Sequence, residues 1–384
     1  MQARYCEAEG AMNIVLVTNS PVPYRIPALN QLATMSGVSL HVVFCCGREP
    51  NREWNLPAIE FRCTYLRERI IRIKNKYIHN NPDVIPTLRR LQPDIVITSG
   101  FNPTHLYAFL YAWLKGIPHV AMTDGTFDSE KSLSLLHRQV RQLVYARSTA
   151  FIWASNGGQK LYASYGIAAE RCFRACLAVE NTRFSETKAF QHGNFEFIFC
   201  GRLEREKNPG FALEVAGEVA RRLGRKVRIL FVGTGTEEQA LKRQAALHGD
   251  LVDAVFHGFA SQEALPGLYR SAKIFLFPTS LDVWGVVTNE ASAAKLPVLV
   301  SPHAGVAGEL VLDGENGYIC ELDVAAWADR ALTLLTFPEL YRNFSERSLS
   351  LVARFTFQDA CKGLADACRY AALVQGRLNG RKQE

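Results

Sequence analysis

Residues 282–290 read D-V-W-G-V-V-T-N-E, so seven residues separate two acids, Asp282 and Glu290. The apolar segment 274–278 predicts a strand before them, and the pattern from Val286 onward predicts a helix. The free backbone N–H groups at such a helix start favour an anion. Both carboxylates would then reach a polyhydroxylated ligand whose phosphate rests on the helix N-terminus. An isolated pair of this spacing is more often an N-capping acid followed by a solvated helical Glu, so neighbouring motifs must decide.

A second strand-to-helix loop, G-R-L-E-R-E-K-N at 201–208, follows a short apolar strand and precedes an amphipathic helix. It carries Arg202 and Lys207. Two cations beside a helix N-terminus suit a diphosphate, and each charge-assisted hydrogen bond there contributes roughly 1.5–3 kcal/mol. The alternative is that both cations simply pair with Glu204 and Glu206 on a solvated loop.

Together these segments resemble the retaining glycosyltransferases of family 4, which have the GT-B fold. The motifs that carry the resemblance are G-R-L-x4-K-N, V-G-T-G-T, D-x-W-G-x-V-x-x-E-A and L-P-V-L-V-S. It is strongest over 197–319 and weaker in the N-terminal half, at 21–29 and 155–184. The resemblance implies an α/β fold of two doubly wound Rossmann-like domains that face each other across a cleft.

Roles in that family carry over to matching positions of this chain. The resemblance assigns the donor diphosphate to Arg202 and Lys207, the ribose to Glu290, and the donor sugar to Asp282 with the amides that follow it. Arg202, Lys207 and Asp282 are also expected to be catalytic, together with Asp124. The rest of the expected donor-binding set is Gly233, Gly235, Gly258, Phe259, Trp284, Gly285, Val286, Val287 and Thr288.

Two glycine motifs need separate interpretation. Gly233-Thr234-Gly235 follows a strand as a dinucleotide-binding turn would, but Glu238 stands where that motif has its third glycine. A carboxylate facing a pyrophosphate is unfavourable, which disfavours a nicotinamide cofactor. This turn either closes on the donor nucleotide or is purely structural. The segment His257-Gly258-Phe259 resembles the part of these enzymes that lines the base, and it does not distinguish uracil from guanine.

Short apolar strands alternate with helical stretches in two runs, as in doubly wound domains. We expect an N-terminal acceptor-side domain at 12–185, a C-terminal nucleotide-sugar domain at 190–365 and a C-terminal helix or tail at 366–384. The polar segment 179–194 is the expected linker. The predicted strands are 14–18, 39–45, 95–99, 119–123 and 151–154, followed by 195–200, 227–232, 255–258, 274–278, 298–301 and 317–320.

Composition bounds the class of protein. With 384 residues, 48% hydrophobic and 21% charged, the chain has ordinary globular usage, and no apolar run reaches the roughly eighteen residues that span a bilayer. Its ten cysteines lack a C-x-x-C pair and favour a reducing cytosol. No cofactor and no metal are expected, since D-x-D and zinc-type spacings are absent. The leaving diphosphate would then be neutralised by Arg202, Lys207 and the helix dipole.

The acceptor is expected at loops of the N-terminal half. Tyr24 and Arg25 lie in a proline-rich loop after the first strand, and Gly100 and Asn102 follow the third. Ordinary turn chemistry is the alternative for both loops.

Many relatives have a His after the strand that follows G-I-P, and this chain has Asp124 there instead. We expect Asp124 to accept a hydrogen bond from the donor sugar or to orient the acceptor. His119, at the start of that strand, is expected to be structural. The carboxyl end of a strand is where such sheets bind ligands, which favours Asp124.

Basic residues are concentrated in 67–90, where seven cations outnumber Glu68 and Asp83 and are interleaved with isoleucines. This mixture suits an anionic membrane or a polyprenyl-diphosphate acceptor, with about 1 kcal/mol from each basic residue near the surface. A solvated basic face is equally consistent, and nucleic acid is not an expected partner because no recognition motif accompanies the charge. The cations are Arg67, Arg69, Arg72, Lys74, Lys76, Arg89 and Arg90.

The sequence therefore predicts a retaining, metal-independent, hexosyltransferase-type enzyme that transfers sugar from a nucleotide-diphosphate sugar to a glycan or lipid-linked acceptor. The resemblance implies front-face attack, a role in surface polysaccharide or glycolipid assembly, and a cytoplasmic location at the inner face of the membrane. A non-catalytic nucleotide- or sugar-binding protein of the same fold is the alternative. Loss of the cations or the acids would favour it, and both sets are present.

Overall fold

The computed structural model describes residues 10–50, 55–73, 76–131, 133–185 and 194–380, which form two compact units. The first unit comprises the described residues up to Cys176 together with those from Phe357 onward, and the second runs from Leu177 to Thr356. Each unit is an α/β domain built on a parallel sheet. No described helix is long and apolar enough to cross a membrane.

The strands of the first unit are β1 (Met12–Thr18), β2 (Val38–Phe44), β3 (Arg62–Tyr65), β4 (Ile70–Ile73), β5 (Lys76–His79), β6 (Ile95–Thr98), β7 (His119–Thr123), β8 (Ala150–Trp153) and β9 (Cys172–Arg174). Its helices are α1 (Ile26–Ala33), α2 (Val84–Leu91), α3 (Pro103–Lys115), α4 (Phe127–Glu130), α5 (Leu135–Arg147), α6 (Asn156–Ser164) and, from the end of the chain, α14 (Phe357–Gly380).

The strands of the second unit are β10 (Phe195–Cys200), β11 (Val227–Val232), β12 (Val252–Gly258), β13 (Ala272–Phe277), β14 (Val298–Val300) and β15 (Gly317–Ile319). Its helices are α7 (Asn181–Ser185), α8 (Pro209–Leu223), α9 (Glu238–Leu247), α10 (Leu265–Arg270), α11 (Val286–Ala293), α12 (Val324–Thr336) and α13 (Pro338–Val352).

The sheet of the first unit has seven parallel strands in the order β3-β2-β1-β6-β7-β8-β9. Its central strands are continuous apolar runs because helices cover both faces. One face is covered by α1 and α14, with Leu29 and Leu364 in the core between them. The other is covered by α2 and α3, and by α5 and α6, around Leu88 and Phe109. A separate antiparallel hairpin, β4–β5, precedes α2.

The sheet of the second unit has six parallel strands in the order β12-β11-β10-β13-β14-β15. Helices α8 and α12 bury Phe211 and Trp327 against one of its faces. Because β11 and β13 both pair with β10, the loops that leave these three strands start side by side. The fold class expected from the sequence, two doubly wound Rossmann-like domains, is confirmed.

The unit boundaries differ from the expected domain bounds 12–185, 190–365 and 366–384. Segment 177–185 lies in the second unit, where the Leu177 carbonyl accepts from Asn289 Nδ2 at 3.2 Å and Phe184 packs against Tyr269. The last helix lies in the first unit, since its apolar residues join that core. Of the expected linker 179–194, residues 186–193 lie outside the described part of the chain.

Candidate functional site

The loops after β10 and β11 interlock at the carboxyl edge of the second sheet. The amide of Gly201 donates to the Val232 carbonyl at 3.0 Å, and that of Leu203 donates to the Thr234 carbonyl at 2.9 Å. A Cβ on Gly233 (φ 127°) would lie 2.0 Å from the Gly201 oxygen. One on Gly235 would lie 2.3 Å from the Leu203 oxygen. The close approach of the two backbones thus explains why both positions are glycine. Contact of either glycine with a nucleotide stays a prediction.

Lys207 and Asp282 connect the loop after β10 with the loop after β13. Lys207 Nζ donates to Asp282 Oδ2 at 2.7 Å and to the Leu281 carbonyl at 3.2 Å. Their side chains are only 14% and 20% exposed. The Glu206 carbonyl fastens the same two loops by accepting from Thr279 Oγ1 at 2.9 Å. Lys207 and Asp282 are therefore directly hydrogen-bonded to each other.

Arg202 is the exposed member of the cation pair. Its guanidinium lies 3.4 Å from the Glu206 carboxylate, with both side chains more than 40% exposed. Such an exposed ion pair contributes about 0–1 kcal/mol to stability. Glu204 instead accepts from Thr236 Oγ1 at 2.7 Å. Of the pairs that the solvated-loop alternative requires, only the exposed Arg202–Glu206 contact is present among the described residues.

The start of α11 follows directly from the β13 loop. Gly285, its N-cap, has φ 103°, and a Cβ there would lie 2.4 Å from the Phe277 ring. Asp282 is not the N-cap of this helix; its Oδ1 accepts from the Trp284 amide at 3.1 Å. The amides of Val286 and Val287 lack intrahelical acceptors by their position and lie at the positive end of the helix dipole, whereas the Thr288 amide donates to the Gly285 carbonyl at 2.8 Å.

Glu290 lies on the second turn of α11 and is buried, with 6% of its surface exposed. This excludes the alternative of a solvated helical Glu. The Tyr269 hydroxyl donates to its Oε2 at 2.8 Å. Burial raises the pKa of Glu290 to about 7, and the hydrogen bond from Tyr269 partly opposes that rise. A carboxylate in this position titrates near neutral pH.

The remaining members of the expected donor set lie at the end of β12, in the loop after β13 and at the start of α11. Gly258 (φ 77°) ends β12, and its carbonyl accepts from the Gly233 amide at 2.7 Å. Phe259, next in the chain, is 44% exposed. Trp284 is buried and donates its indole N–H to Asn289 Oδ1 at 2.8 Å. Among the described residues, none accepts from or donates to the buried Thr288 hydroxyl.

In the first unit the structure brings two predicted residues together. Arg25, immediately before α1, forms an ion pair with Asp124, which follows β7. Asp124 keeps 36% of its side chain exposed while Arg25 is largely buried. Asn102, the N-cap of α3, donates its amide to Asn19 Oδ1 at 3.1 Å.

The other candidate residues of the first unit are Gly100, Tyr24 and His119. Gly100 packs against the buried ring of His105, and Tyr24 is half-buried in the loop before α1. His119 is buried, with Nε2 2.9 Å from Thr98 Oγ1 and Nδ1 2.8 Å from Ser148 Oγ. Burial lowers the pKa of His119 to about 3. These contacts give His119 the structural role expected for it.

In the comparisons with known proteins, the family match falls within the second unit. Residues 180–350 match the model of the family described as glycosyl transferases group 1. Residues 180–350 are a group 1 glycosyltransferase domain. The chain is 23% identical to the alpha-D-kanosaminyltransferase of Streptomyces kanamyceticus, over 71% of this chain and 76% of that one. It is 32% identical to the glycogen synthase of Mycobacterium tuberculosis over 38% of this chain and 35% of that one.

The solved structure of Anabaena HepE shares the fold over nearly the whole chain. It aligns with a TM-score of 0.71 and 15% identity, covering 92% of this chain and 98% of that one. The group 1 glycosyltransferase domain holds the entire expected donor set, from Arg202 to Glu290. The acceptor candidates lie outside it, in the first unit.

Sequence reasoning missed two contributors to the glycosyltransferase domain's site. Tyr269 carries the hydrogen bond to Glu290, yet a Tyr in a short helix gives no pattern that separates it from core. The loop after β14 supports Asp282: the Asp282 amide donates to the His303 carbonyl at 3.2 Å, and the Gly305 amide donates to the Asp282 carbonyl at 2.9 Å. Its H-A-G sequence after a buried strand was the available signal.

Proposed function

We propose that this protein is a retaining, metal-independent, hexosyltransferase-type enzyme that uses a nucleotide-diphosphate sugar. The observation that carries the proposal is the grouping of Arg202, Lys207, Asp282 and Glu290 at one edge of the second sheet. Two cations, the amide end of α11 and two carboxylates match a diphosphate flanked by two polyhydroxylated rings. The HepE structure contains UDP and glucose, which supports a donor of this class.

Each group in the second unit has one task in this proposal. Arg202 and Lys207 bind the diphosphate, and the α11 amides add the positive end of the helix dipole. Glu290, when ionised, accepts hydrogen bonds from the ribose hydroxyls. Asp282 accepts a hydrogen bond from a hydroxyl of the donor sugar. Because Lys207 already pairs with Asp282, donor binding places the diphosphate and a sugar hydroxyl on either side of an existing ion pair.

Transfer in the proposed mechanism occurs on the face from which the diphosphate leaves. The bond between the anomeric carbon and the phosphate oxygen breaks as the acceptor oxygen bonds to that carbon, and the departing phosphate takes the hydroxyl proton. The configuration is retained and no enzymic nucleophile is needed. The protein contributes positioning and stabilisation of the charge that grows on the diphosphate, chiefly through Arg202 and Lys207.

The acceptor is assigned to loops of the first unit. Asp124 orients the acceptor hydroxyl, and its ion pair with Arg25 holds the carboxylate in place. Tyr24, Gly100 and Asn102 supply the neighbouring walls. No side chain of this unit needs to remove the proton of the acceptor hydroxyl, because the leaving phosphate takes it.

A lipid-linked acceptor for surface polysaccharide or glycolipid assembly is the final part of the proposal. Its support is the hairpin β4–β5, where Ile71 and Ile73 are about half exposed beside Arg69 and Arg72. Of the other basic residues expected here, Lys74 lies outside the described residues, as does the side chain of Lys76. Arg89 and Arg90 are exposed on α2, which follows the hairpin.

The test is a transfer assay with the full chain and a panel of UDP-, GDP- and ADP-sugars, offering soluble and lipid-diphosphate acceptors. The anomeric configuration of the product is read by NMR. A product with the donor's own configuration supports the proposal. An inverted product refutes the retaining mechanism, and donor binding without transfer to any acceptor supports the non-catalytic alternative.

A further inference from the structure

Helices α2, α3 and α5 form an outer layer of the first unit whose charge is one-sided. None of the three contains Asp or Glu, although α2 carries Arg89 and Arg90, α3 carries Lys115, and α5 carries Arg138 and Arg147. In the second unit, by contrast, several exposed cations on helices pair with carboxylates. Glu218 pairs with Arg221 and Arg222, and Lys242 pairs with Glu238.

The same layer leaves large apolar side chains in water. Leu110, Trp113 and Leu114 share one face of α3 by their spacing and are 43% to 71% exposed. On α5, Leu135, Leu136 and Leu143 are 47% to 76% exposed.

Helices α3 and α5 cover the same face of the sheet, since Phe109 of α3 shares a buried cluster with Val144 and Tyr145 of α5. The Arg147 guanidinium lies 4.5 Å from the centre of the Trp113 ring. Arg141 of α5 does not belong to this surface, because it is largely buried and forms an ion pair with Glu130 at 2.7 Å. Leu136 and Leu143, seven residues apart, share the face of α5 that also carries Arg147. The apolar side chains of the two helices thus lie on one side of the sheet, and Arg147 contacts Trp113 where both helices end.

The hairpin β4–β5 is anchored to the same layer. Asn80, which follows the hairpin, accepts from the Tyr107 hydroxyl of α3 at 3.0 Å. The Asn81 amide donates to Thr104 Oγ1 at 2.8 Å. The exposed Ile71 and Ile73 therefore belong to an element fixed on α3.

We propose that the outer face of α3 and α5 docks onto an anionic lipid bilayer. Leucine, tryptophan and isoleucine side chains enter the boundary between headgroups and acyl chains, and the arginines and Lys115 remain among the lipid phosphates. A second copy of the chain is a poor occupant, because it would bring two basic faces together. A nucleic acid would leave the leucines without apolar partners.

This inference deepens the proposed function, since a bilayer is where a lipid-linked acceptor resides. The two can fail separately. Vesicle binding needs neither donor nor acceptor, whereas binding of a free nucleotide sugar, measured by calorimetry without vesicles, does not involve α3 or α5.

The test is flotation of the full chain with phosphatidylcholine vesicles, with and without phosphatidylglycerol. The apolar variant is L114S/L135S/L136S. The matched control is L247S/F337S, which removes two exposed apolar side chains of the second unit. The charge variant is K115Q/R138Q, with K226Q of the second unit as its control.

We expect the wild type and both controls to bind anionic vesicles well and neutral vesicles weakly. The apolar variant should bind at least tenfold more weakly at every salt concentration. The charge variant should lose affinity mainly at low salt, where lipid charge is least screened. Because all these side chains are exposed, thermal unfolding should be unchanged; if the apolar variant unfolds early, the charge variant decides.

Three results would overturn the proposal. In the first, the wild type fails to bind anionic vesicles. In the second, the apolar and charge variants bind as well as their controls. In the third, sedimentation shows that the apolar variant turns a dimer into a monomer while vesicle binding is unchanged, which would make a second copy the occupant of this face.

Discussion

Lys207 Nζ and Asp282 Oδ2, 75 residues apart in the chain, lie 2.7 Å from each other and join the loops after β10 and β13. Each side chain is the nearest countercharge of the other. In the proposed site both must also contact the donor, so the pair sets the charge balance between diphosphate and sugar. Changes at one residue should therefore affect what the other binds.

Removing either cation should reduce turnover. We expect R202A and K207A each to lower kcat/KM at least tenfold, because the growing charge on the diphosphate loses a charge-assisted hydrogen bond. Arg202 is exposed, so R202A should leave the unfolding temperature unchanged. K242A, on the surface of α9, is the control. Wild-type rates in both site variants would refute the diphosphate assignment.

Replacing Asp282 and replacing Glu290 should affect the binding of different ligands. D282N should retain the free nucleoside diphosphate, with equal or higher affinity because Lys207 is no longer paired with a carboxylate, and should lose the gain in affinity that the sugar provides. E290Q should weaken the free nucleoside diphosphate as well, because the ribose contact is common to both ligands. Calorimetry with the nucleoside diphosphate and its sugar conjugate distinguishes the variants, and the opposite pattern would exchange their roles.

Donor affinity should depend on pH through Glu290. Burial raises its pKa to about 7, and ribose hydroxyls are bound by the ionised form, so affinity for a nucleotide sugar should rise as the pH increases through neutrality. A nucleotide sugar is the right probe because its diphosphate diester does not titrate there. In Y269F the profile should shift to higher pH, since the hydroxyl that favours the carboxylate is gone. A profile that is flat in the wild type would contradict this role.

The same shift predicts a stability difference. The folded-state pKa of Glu290 lies above its unfolded value of 4.5, so the stability that its proton confers is complete below 4.5 and is lost as the pH rises through about 7. E290Q should match the wild type at low pH and exceed it above neutrality by up to roughly 3 kcal/mol. Denaturant unfolding at both pH values measures this, and a destabilised E290Q at high pH would argue against a buried, strained carboxylate.

Much of this architecture could be predicted from the sequence because buried parallel strands are continuous apolar runs. All of the predicted strands are present, and Asp282 and Glu290 stand before and within α11 as expected. Strands β3, β4, β5 and β9 are only three or four residues long and each contains a basic residue, so they gave no such signal. The sequence pattern also could not show that α14 belongs to the first unit, because amphipathicity indicates that a helix packs on a core but not on which one.

The candidate site shows the same limit. Spacing placed Lys207 and Asp282 on two separate loops, but their contact depends on β10 and β13 being neighbours, which is a tertiary property. The burial of Glu290 and its Tyr269 partner likewise depends on how α10 packs on α11. From the sequence, Gly233 and Gly235 could either face the nucleotide or be purely structural, and backbone contacts with the β10 loop by themselves require glycine at both positions.

The most direct test of the account is isothermal titration of the wild type and of the R202A/K207A double variant with UDP-, GDP- and ADP-sugars in the presence of a chelator. We expect one base series to bind the wild type without metal and to bind the double variant at least a hundredfold more weakly. A ligand at about a hundred times its Kd should also stabilise the wild type by roughly 2.7 kcal/mol. No binding by any nucleotide sugar, or binding that requires a divalent cation or survives loss of both cations, would contradict the claim that these loops hold the donor diphosphate.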